Sequence, residues 1–559
     1  MSQPPPSNDP ATPNTPAADK PVPAAQPDAA MPQAPTSDMP APKRSGMLRS
    51  TAVFTSMTFL SRIAGYLRDW LQATMFGAGP AVSAFVVAYR IPNYLRRIFA
   101  EGSFSSAFVP VLTELREKGD KKALQDFMDH IAGALLAAVV IVSAIGMLAA
   151  PWIARVFLLF APADAETVPM AADMLRITFP YLTFISMTAL AGAALNSFRH
   201  FGLPALTPVL HNLAMIGAML LISGLVTPPE KSLAWGVLAA GILQMLVLWP
   251  ALGKLGIRPR FKFNLRHEGV RRVFKLMLPT IFSSSVAQVN VLVGTIFASL
   301  LVPAAQSWLY YSDRLTELPL GLFGVAIGTV ILPQLSRHHA KSDEAGYSKS
   351  LDWGLRMVLL LGLPAAVGLI MLSTPLTISL FRYGQFTAED GRMVGYALSA
   401  MCIGVPAFML TKVLLSAFYS RKDTKTPMRA AVWTVVCNVV LIVALVTPMW
   451  RMGLPWAHTG IAAATAIAGI FNAILLWRWL RRDGIYQPEP GWARWWLKLT
   501  LGVLVMAAVV WFGREWVGDF TRMGAAHRWG WLLALVAAGG VAYGVTLLAL
   551  GVRPRHLRG

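Results

Sequence analysis

Apolar residues run along this chain in long unbroken blocks, with neither strand-like alternation nor a single helical stripe. Ile131–Ala154, Ser232–Gly253, Met357–Phe381, Ala430–Trp450, Met452–Trp477 and Trp529–Val552 carry no Asp, Glu, Lys or Arg. Each is long enough to cross a hydrocarbon layer about 30 Å thick as a helix. In lipid an open segment must satisfy its own backbone polar groups, which only a helix does. The pattern therefore predicts an all-α integral membrane protein. Leu276–Ser312 is also uncharged, is too long for one crossing, and is expected to turn at Val302-Pro303. Counting in this way gives about 14 transmembrane helices.

Residues 1–46 break the pattern. They hold 13 of the chain's 39 prolines among Ala, Ser, Asn and Gln, with no apolar period. Such a segment cannot bury enough surface to offset its ordering entropy and is expected to be disordered. It lacks the basic and apolar regions of a cleaved secretory signal. From residue 47 onward the chain reads as a duplication. "ATMFGA" at 73–78 is similar to "GTIFAS" at 294–299. Tyr89-Arg90, Pro110, Phe198 and Pro208 find counterparts at Arg314, Pro333, Phe418 and Pro427, all displaced by about 220 residues. The expected organisation is a six-helix lobe at 47–266, a second at 267–483, and a linker with a helix pair at 484–559. Repeats with an even number of crossings share one topology, so they are related by an axis along the membrane normal, as in transporters that rock two bundles around a cavity.

Overall composition then changes the picture in one respect. The chain of 559 residues is 55% hydrophobic and 14% charged, yet carries a formal net charge of +21. The basic residues gather in alternate connections: Arg116 to Lys122, Lys254 to Lys275, Arg337 to Lys349, Arg421 to Arg429 and Arg478 to Arg482, together with both ends of the chain. The intervening connections "GAGPAVS", "APADAETVP", "VTPPEKS" and "VPAAQS" are nearly bare. The positive-inside rule places the basic set, and both termini, in the cytoplasm. Arg514, Arg522 and Arg528, between the last two helices, run against it. No basic run interleaves with aromatics on a soluble module, so nucleic acid is not an expected partner. Cys402 and Cys437 lie in apolar segments without metal-ligand spacing and are expected to be packing residues, so neither metal nor disulfide is expected.

The exceptional positions are charges within apolar helices. "FLSRIAGYLRDWLQATMFGAG" at 59–79 holds Arg62, Arg68 and Asp69. The next helix adds Arg90, Asn93, Arg96, Arg97 and Glu101 around Pro92 and Gly102, where a break or bend is expected. "YYSDRLTELPLGLFGVAIGT" adds Asp313, Arg314 and Glu317, and Lys412 stands alone in "MLTKVLLSAFYS". Each such charge costs roughly 2.5–3.5 kcal/mol at a helix centre facing lipid, so they are expected to face one another or a water-filled cavity. The first two helices hold five Arg against two acids. The surplus predicts an anionic ligand, and the planar guanidinium fork suits phosphate. Substrate binding is assigned to Arg62, Arg68, Arg90, Asn93, Arg96, Arg97, Arg314 and Lys412, and gating or ion pairing to Asp69, Glu101, Asp313 and Glu317. The plainer alternative is that Arg97-Glu101 and Asp313-Arg314-Glu317 only lock helices together.

"SRIAGYLRD", "YRIPNYLRRIFAEGSFSSAFVPVL", "WLYYSDRLTELPLGLFGVAIGTVILPQLS" and "FYSRKDTKTP" resemble the signature segments of the MurJ (MviN) lipid II flippases of the multidrug/oligosaccharidyl-lipid/polysaccharide exporter superfamily. The resemblance runs from about Gly46 to the C-terminus. It implies two lobes and a C-terminal pair in a bacterial inner membrane, and transfer of the undecaprenyl-diphosphate-linked peptidoglycan precursor between leaflets. It implies no enzyme activity, with lipid II, membrane lipids and cell-wall synthesis proteins as partners of a monomer. The family's cavity arginines match Arg62, Arg68, Arg96 and Arg314, its acidic partners Asp313 and Glu317, and its late lysine Lys412. Two departures stand out. Relatives often carry an acid where this chain has Ser83, and "SSSVAQVNVLVGTIFASLL" lacks the Asp of sodium-coupled relatives, leaving only the side-chain oxygens of Asn290 and Asn438. Ion or membrane-potential coupling is compatible with the chain, whereas a strong sodium site is not expected. The rivals are an exporter of another polyprenyl-linked oligosaccharide or of a drug, and an enzyme acting on polyprenyl phosphates. A site for cationic drugs calls for acids. An enzyme calls for a metal cluster or an assisted histidine, and His211 has no neighbouring carboxylate in sequence.

Overall fold

A computed structural model describes residues 44–96, 103–162 and 166–552. Arg97, Glu101, Gly102 and almost all of the proline-rich segment lie outside them. The chain divides into a unit of residues 1–49, whose described part is the opening of the first helix, and a unit of residues 50–559 that holds everything below. A first series of helices comprises α1 (Arg44–Phe76), α2 (Pro80–Arg96), α3 (Ser103–Glu117), α4 (Lys121–Leu148), α5 (Ala150–Phe157), α6 (Thr167–Thr178), α7 (Tyr181–Ser197), α8 (Gly202–Ile222) and α9 (Lys231–Lys254). A second comprises α10 (Glu268–Ala298), α11 (Ala305–Pro319), α12 (Val325–Ala340), α13 (Glu344–Phe381), α14 (Ala388–Cys402), α15 (Val405–Ser420), α16 (Lys425–Arg451) and α17 (Thr459–Arg482). The pair α18 (Trp492–Val517) and α19 (Ala525–Ala549) follows.

Nine of these rods, one of them α6 with α7 taken together, are long and apolar enough to cross a membrane, or ten if α14 and α15, bent by 44°, form one span. The expected count of about 14 is therefore not reached on length and composition among the described residues. The shortfall falls on α1, α2, α3, α10, α11 and α12, three of which, α1, α2 and α11, carry the intramembrane charges. A segment that faces a polar interior does not need the apolar length that lipid demands. Other boundaries shift for local reasons. The helix expected to follow residue 46 begins at Arg44, just past the last proline of the N-terminal segment. The block Ile131–Ala154 breaks at Ala149, where Pro151 opens α5. Pro92 sits inside α2, and the residues beyond Arg96 where a bend was expected are not described.

Helix starts follow ordinary capping chemistry. Asp120 accepts from the backbone N–H of Lys122 and Ala123 at the head of α4, and Thr387 with Asp390 forms a reciprocal box at the head of α14. Asp343 caps α13, and the Gly346 N–H, with the His338 ring, holds its carboxyl below the usual carboxylate range.

The packing of one series repeats in the other. α7 lies on α9 as α15 lies on α17, α3 on α7 as α12 on α15, and α8 on α9 as α16 on α17. The two series meet through α2 and α11. There Ser83 and Ser307, 224 residues apart, join hydroxyl to hydroxyl at 2.8 Å. Arg90 and Arg314 share the same displacement. Self-pairing of equivalent positions is what a two-fold axis produces, so the approximate axis passes between these two serines. α10 does not stay with the second series. Its first turns place Val270, Val273 and Met277 in a core with Phe108, Phe127 and Leu248 of the first, while its later part packs on α16.

Two arginines that run against the charge pattern bind carbonyls of α13. Arg528 is buried and donates to those of Ile378 and Arg382 at the helix end, where the dipole favours a cation. Arg514 donates to Met371, whose carbonyl lacks a helical partner because Pro375 has no N–H. Arg522, by contrast, is exposed beside Asp519.

The linker 484–492 is strapped to α13. Asp352, buried, accepts from the Tyr486 hydroxyl at 2.7 Å, the Trp492 indole N–H at 2.7 Å and the Glu489 N–H at 3.3 Å, with Arg356 Nε at 2.7 Å. Asp352→Ala would strand those donors and leave Arg356 uncompensated, a loss of about 3–5 kcal/mol. Limited proteolysis should then cut between 484 and 491 in the variant and not in the parent, and the thermal transition in detergent should fall.

Candidate functional site, a cationic cavity between the two helix series

Asp69 of α1 accepts from Arg68 through Nε at 3.0 Å and Nη2 at 2.6 Å, and from the Tyr310 hydroxyl of α11 at 3.1 Å. Arg314, also on α11, brings Nε to 3.7 Å from the second carboxylate oxygen and lays its guanidinium over the Tyr310 ring at 5.1 Å. One buried carboxylate is thus shared by two arginines from different halves of the chain. Arg68 also donates to Asn212 Oδ1 on α8 at 3.0 Å, and Asn212 donates to the Ser61 carbonyl at 3.0 Å.

This layer separates two cavities. One, of about 650 Å³, lies between the halves and is lined by Arg62, Arg68, Asp69, Arg314, Glu317 and Lys412 among others. It joins α1 and α8 of the first series to α11, the wide turn at 320–324 and α15 of the second. Four cations face two carboxylates there. The other, of about 510 Å³, lies mainly within the first series and carries Arg68, Arg96 and Arg314, with no carboxylate among the described residues of its lining. Its remaining polar lining includes His211, Gln244, Asn196 and Thr188. The Nε2 atoms of His211 and Gln244 are buried without a hydrogen-bond partner.

Just beyond Asp69 the halves close on each other. The Gln385 N–H donates to the Thr74 carbonyl at 2.9 Å, and the Tyr311 hydroxyl to the Gly77 carbonyl at 3.1 Å. Gly77 and Gly384 have φ of +68° and +55°, and a Cβ at Gly384 would run into the Thr74 carbonyl. Glycine there permits both the left-handed turn and the close approach. Together with the Ser83–Ser307 bond these contacts close the end of the bundle whose connections are nearly uncharged. Both cavities lie on the other side of that closure.

The sequence-assigned residues divide into three groups. Arg62, Arg68, Asp69, Arg96, Arg314, Glu317 and Lys412 come together around the two cavities. Arg90, Asn93 and Asp313 line neither. Arg90 is committed to Thr295 Oγ1 at 2.8 Å and Gln306 Oε1 at 3.0 Å, with Asp313 at 4.0 Å, and so braces α2 against α10 and α11. Asn93 accepts from Arg96 at 3.0 Å. Arg97 and Glu101 lie outside the described residues. Glu317 pairs with Arg314 at 3.3 Å and is largely exposed. Sequence reasoning did not assign Asn212, Tyr310 or Gln72, which donates to Tyr311 at 3.4 Å. The signal was a polar His211-Asn212 step inside the apolar helix α8. Asn438 Nδ2 donates to Asn290 Oδ1 at 2.6 Å between α16 and α10.

Two helix series whose packing repeats, closed against each other at one end over a charged interior, define the architecture of a two-lobed membrane transporter. The comparisons agree and go further. The family model for "Lipid II flippase MurJ" matches residues 72–523. The chain is 39% identical to the probable lipid II flippase MurJ of Haemophilus influenzae, covering 90% of this chain and 99% of that protein. It is also 39% identical to the lipid II flippase MurJ of Burkholderia cenocepacia, covering 83% and 89%. Among solved structures, that of a lipid II flippase MurJ in an inward closed conformation superposes with a TM-score of 0.74 at 27% identity, covering 89% of this chain and 98% of that one. An inward-facing multidrug resistance MATE family transporter matches in fold alone, with a TM-score of 0.61 at 16% identity, covering 78% and 98%. The chain belongs to the lipid II flippase MurJ family, a family of membrane transporters and not of enzymes.

Gly321 fixes where Arg62 sits, since a Cβ at that position would occupy the place of the guanidinium. Gly321→Ala should therefore lower transport in the same direction as Arg62→Ala. A double-mutant cycle should show the double variant no worse than Arg62→Ala alone, because neighbours sharing one interaction are not additive. Transport in vesicles, corrected for inserted protein, measures it.

Proposed function

We propose that this protein moves lipid II, the diphosphate-linked peptidoglycan precursor, from the inner to the outer leaflet of the bacterial cytoplasmic membrane by alternating access. The observation that carries the reading is the excess of cations over carboxylates in a cavity shared by both halves. A diphosphate supplies the missing negative charge, and Arg62, Arg314 and Lys412 are positioned to take it. Arg68 is already engaged by Asp69 and Asn212 and acts by holding the layer together. With the closure lying at the weakly charged end, the conformation described is the one open toward the basic, cytoplasmic side. Rocking of the halves about the serine axis would break the Gln385–Thr74 and Tyr311–Gly77 contacts and present the same cations outward. No bond in the substrate need break. The polyprenyl chain remains in lipid, where its burial carries no cost.

On this reading both termini are cytoplasmic, residues 47–266 and 267–483 are the two moving lobes, and residues 484–559 form an accessory linker and helix pair. A monomer holds the complete site. Cell-wall synthesis proteins meet it on the cytoplasmic loops, and no cofactor is required. The surplus of cations over carboxylates around the cavities weighs against export of cationic drugs.

In cells depleted of the native protein, Arg62→Ala and Arg314→Ala should each lower outward-facing precursor about 10- to 100-fold while total precursor and inserted protein hold steady. That is the range for losing one charge-assisted contact of about 1.5–3 kcal/mol. Arg314→Lys should recover part of it, retaining charge but not the fork. Full activity in both alanine variants would remove the cavity from the mechanism.

A further inference from the structure

We propose that Asp126, His130 and His267 form a binding site for a divalent transition metal of the zinc type, at the junction where the chain passes from the first helix series to the second. Asp126 and His130 are one turn apart on α4, and His267 immediately precedes α10. His267 Nε2 lies 3.2 Å from Asp126 Oδ2, and His130 Nδ1 lies 2.8 Å from the Asp126 backbone carbonyl and 3.4 Å from Asp126 Oδ1. The two imidazoles stack with centroids 4.4 Å apart and planes within 14°. One ligand atom from each residue falls within 4.8 Å of the others. Ligands of a tetrahedral zinc site with bonds of about 2.0 Å stand about 3.3 Å apart, so side-chain rotation of under 2 Å closes the set. Water would fill the fourth position.

The surroundings hold these ligands in place without the metal. The connection 255–267 is strapped to α4: Gln125 donates to the Arg258 carbonyl, and the N–H groups of Arg260 and Lys262 donate to Asp129 Oδ1 and to the Asp129 carbonyl. Gly269 lets Phe127 and His267 pack closely. His267 Nδ1 is buried with no partner, so nothing in the protein occupies its second nitrogen. Lys262 is the competitor. Its ammonium lies 3.3 Å from Asp126 and 3.1 Å from the buried Asp129, and these contacts raise its affinity for a proton. A metal would displace it from Asp126 and leave it on Asp129. Neutral imidazoles beside one carboxylate favour zinc, copper or nickel over magnesium or calcium.

The site joins α4 to the first turn of α10, which already packs in the core of the first series, so a bound ion would pin the start of α10 to that half. The test is titration of the full-length protein in detergent with Zn²⁺ and separately with Mg²⁺, followed by calorimetry and by hydrogen exchange over residues 255–272. One saturable Zn²⁺ site, absent for Mg²⁺, should appear with slowed exchange in that segment. His130→Ala and His267→Ala should each weaken it at least about tenfold. Lys262→Ala should tighten it by removing the competing cation, a change a nonspecific histidine surface would not show. His338→Ala with His339→Ala should leave it unaltered. Absence of a saturable site in the parent, or equal Zn²⁺ affinity in the parent, the single-histidine variants and Lys262→Ala, overturns the assignment. Because Lys262 is exposed, its variant tests the site even where a histidine variant fails to fold.

Discussion

The structure turns on one buried carboxylate claimed by two guanidinium groups. Asp69 is the anion that allows Arg68 and Arg314 to stay inside the bundle. Without it, two like charges would face each other in a medium too poor in water to screen them. Without either arginine, a carboxylate would be stranded there at a cost of several kcal/mol. The contact also crosses the chain's internal duplication, since Asp69 and Arg68 belong to the first half and Arg314 and Tyr310 to the second. The pair that neutralises the interior is thus also part of what holds the halves together.

That arrangement divides labour among charges that look alike in sequence. Arg68 spends four of its five N–H donors on Asp69, Asn212 and Tyr310, and Arg90 is spent on Thr295 and Gln306. Arg62, by contrast, extends into the larger cavity over a glycine, and Lys412 reaches it from α15. Position within a network, rather than residue type, separates a structural arginine from one left available to a ligand.

Much of this was legible in the chain. Long uncharged blocks marked most of the helices able to cross a membrane, and matched segments about 220 residues apart anticipated the repeated packing of the two series. Charges inside apolar helices pointed to the cationic cavity. Periodicity could not separate Arg90 from Arg314, because both sit at equivalent places in equivalent helices and differ only in what the other half offers them: Gln306 and Thr295 in one case, Asp69 in the other. Nor did apolar length identify the helices around the cavity, because a wall facing water has no hydrophobic requirement to read. Asn212 showed only as part of the polar His211-Asn212 step and Tyr310 as one aromatic among several, because their shared partner Arg68 lies 144 and 242 residues away in the chain. Arg514 and Arg528 broke the charge rule for a similarly tertiary reason, being ligands for the carbonyls of α13.

The meeting of Ser83 and Ser307 on the approximate axis has a bearing on what powers the cycle. Two hydroxyls bound to each other hold no proton that physiological acidity would remove and no charge that a voltage would pull. This contact between the halves is therefore a neutral clasp of about 1 kcal/mol. Any response of the interface to protons or voltage belongs to charged groups elsewhere, such as the layer around Asp69.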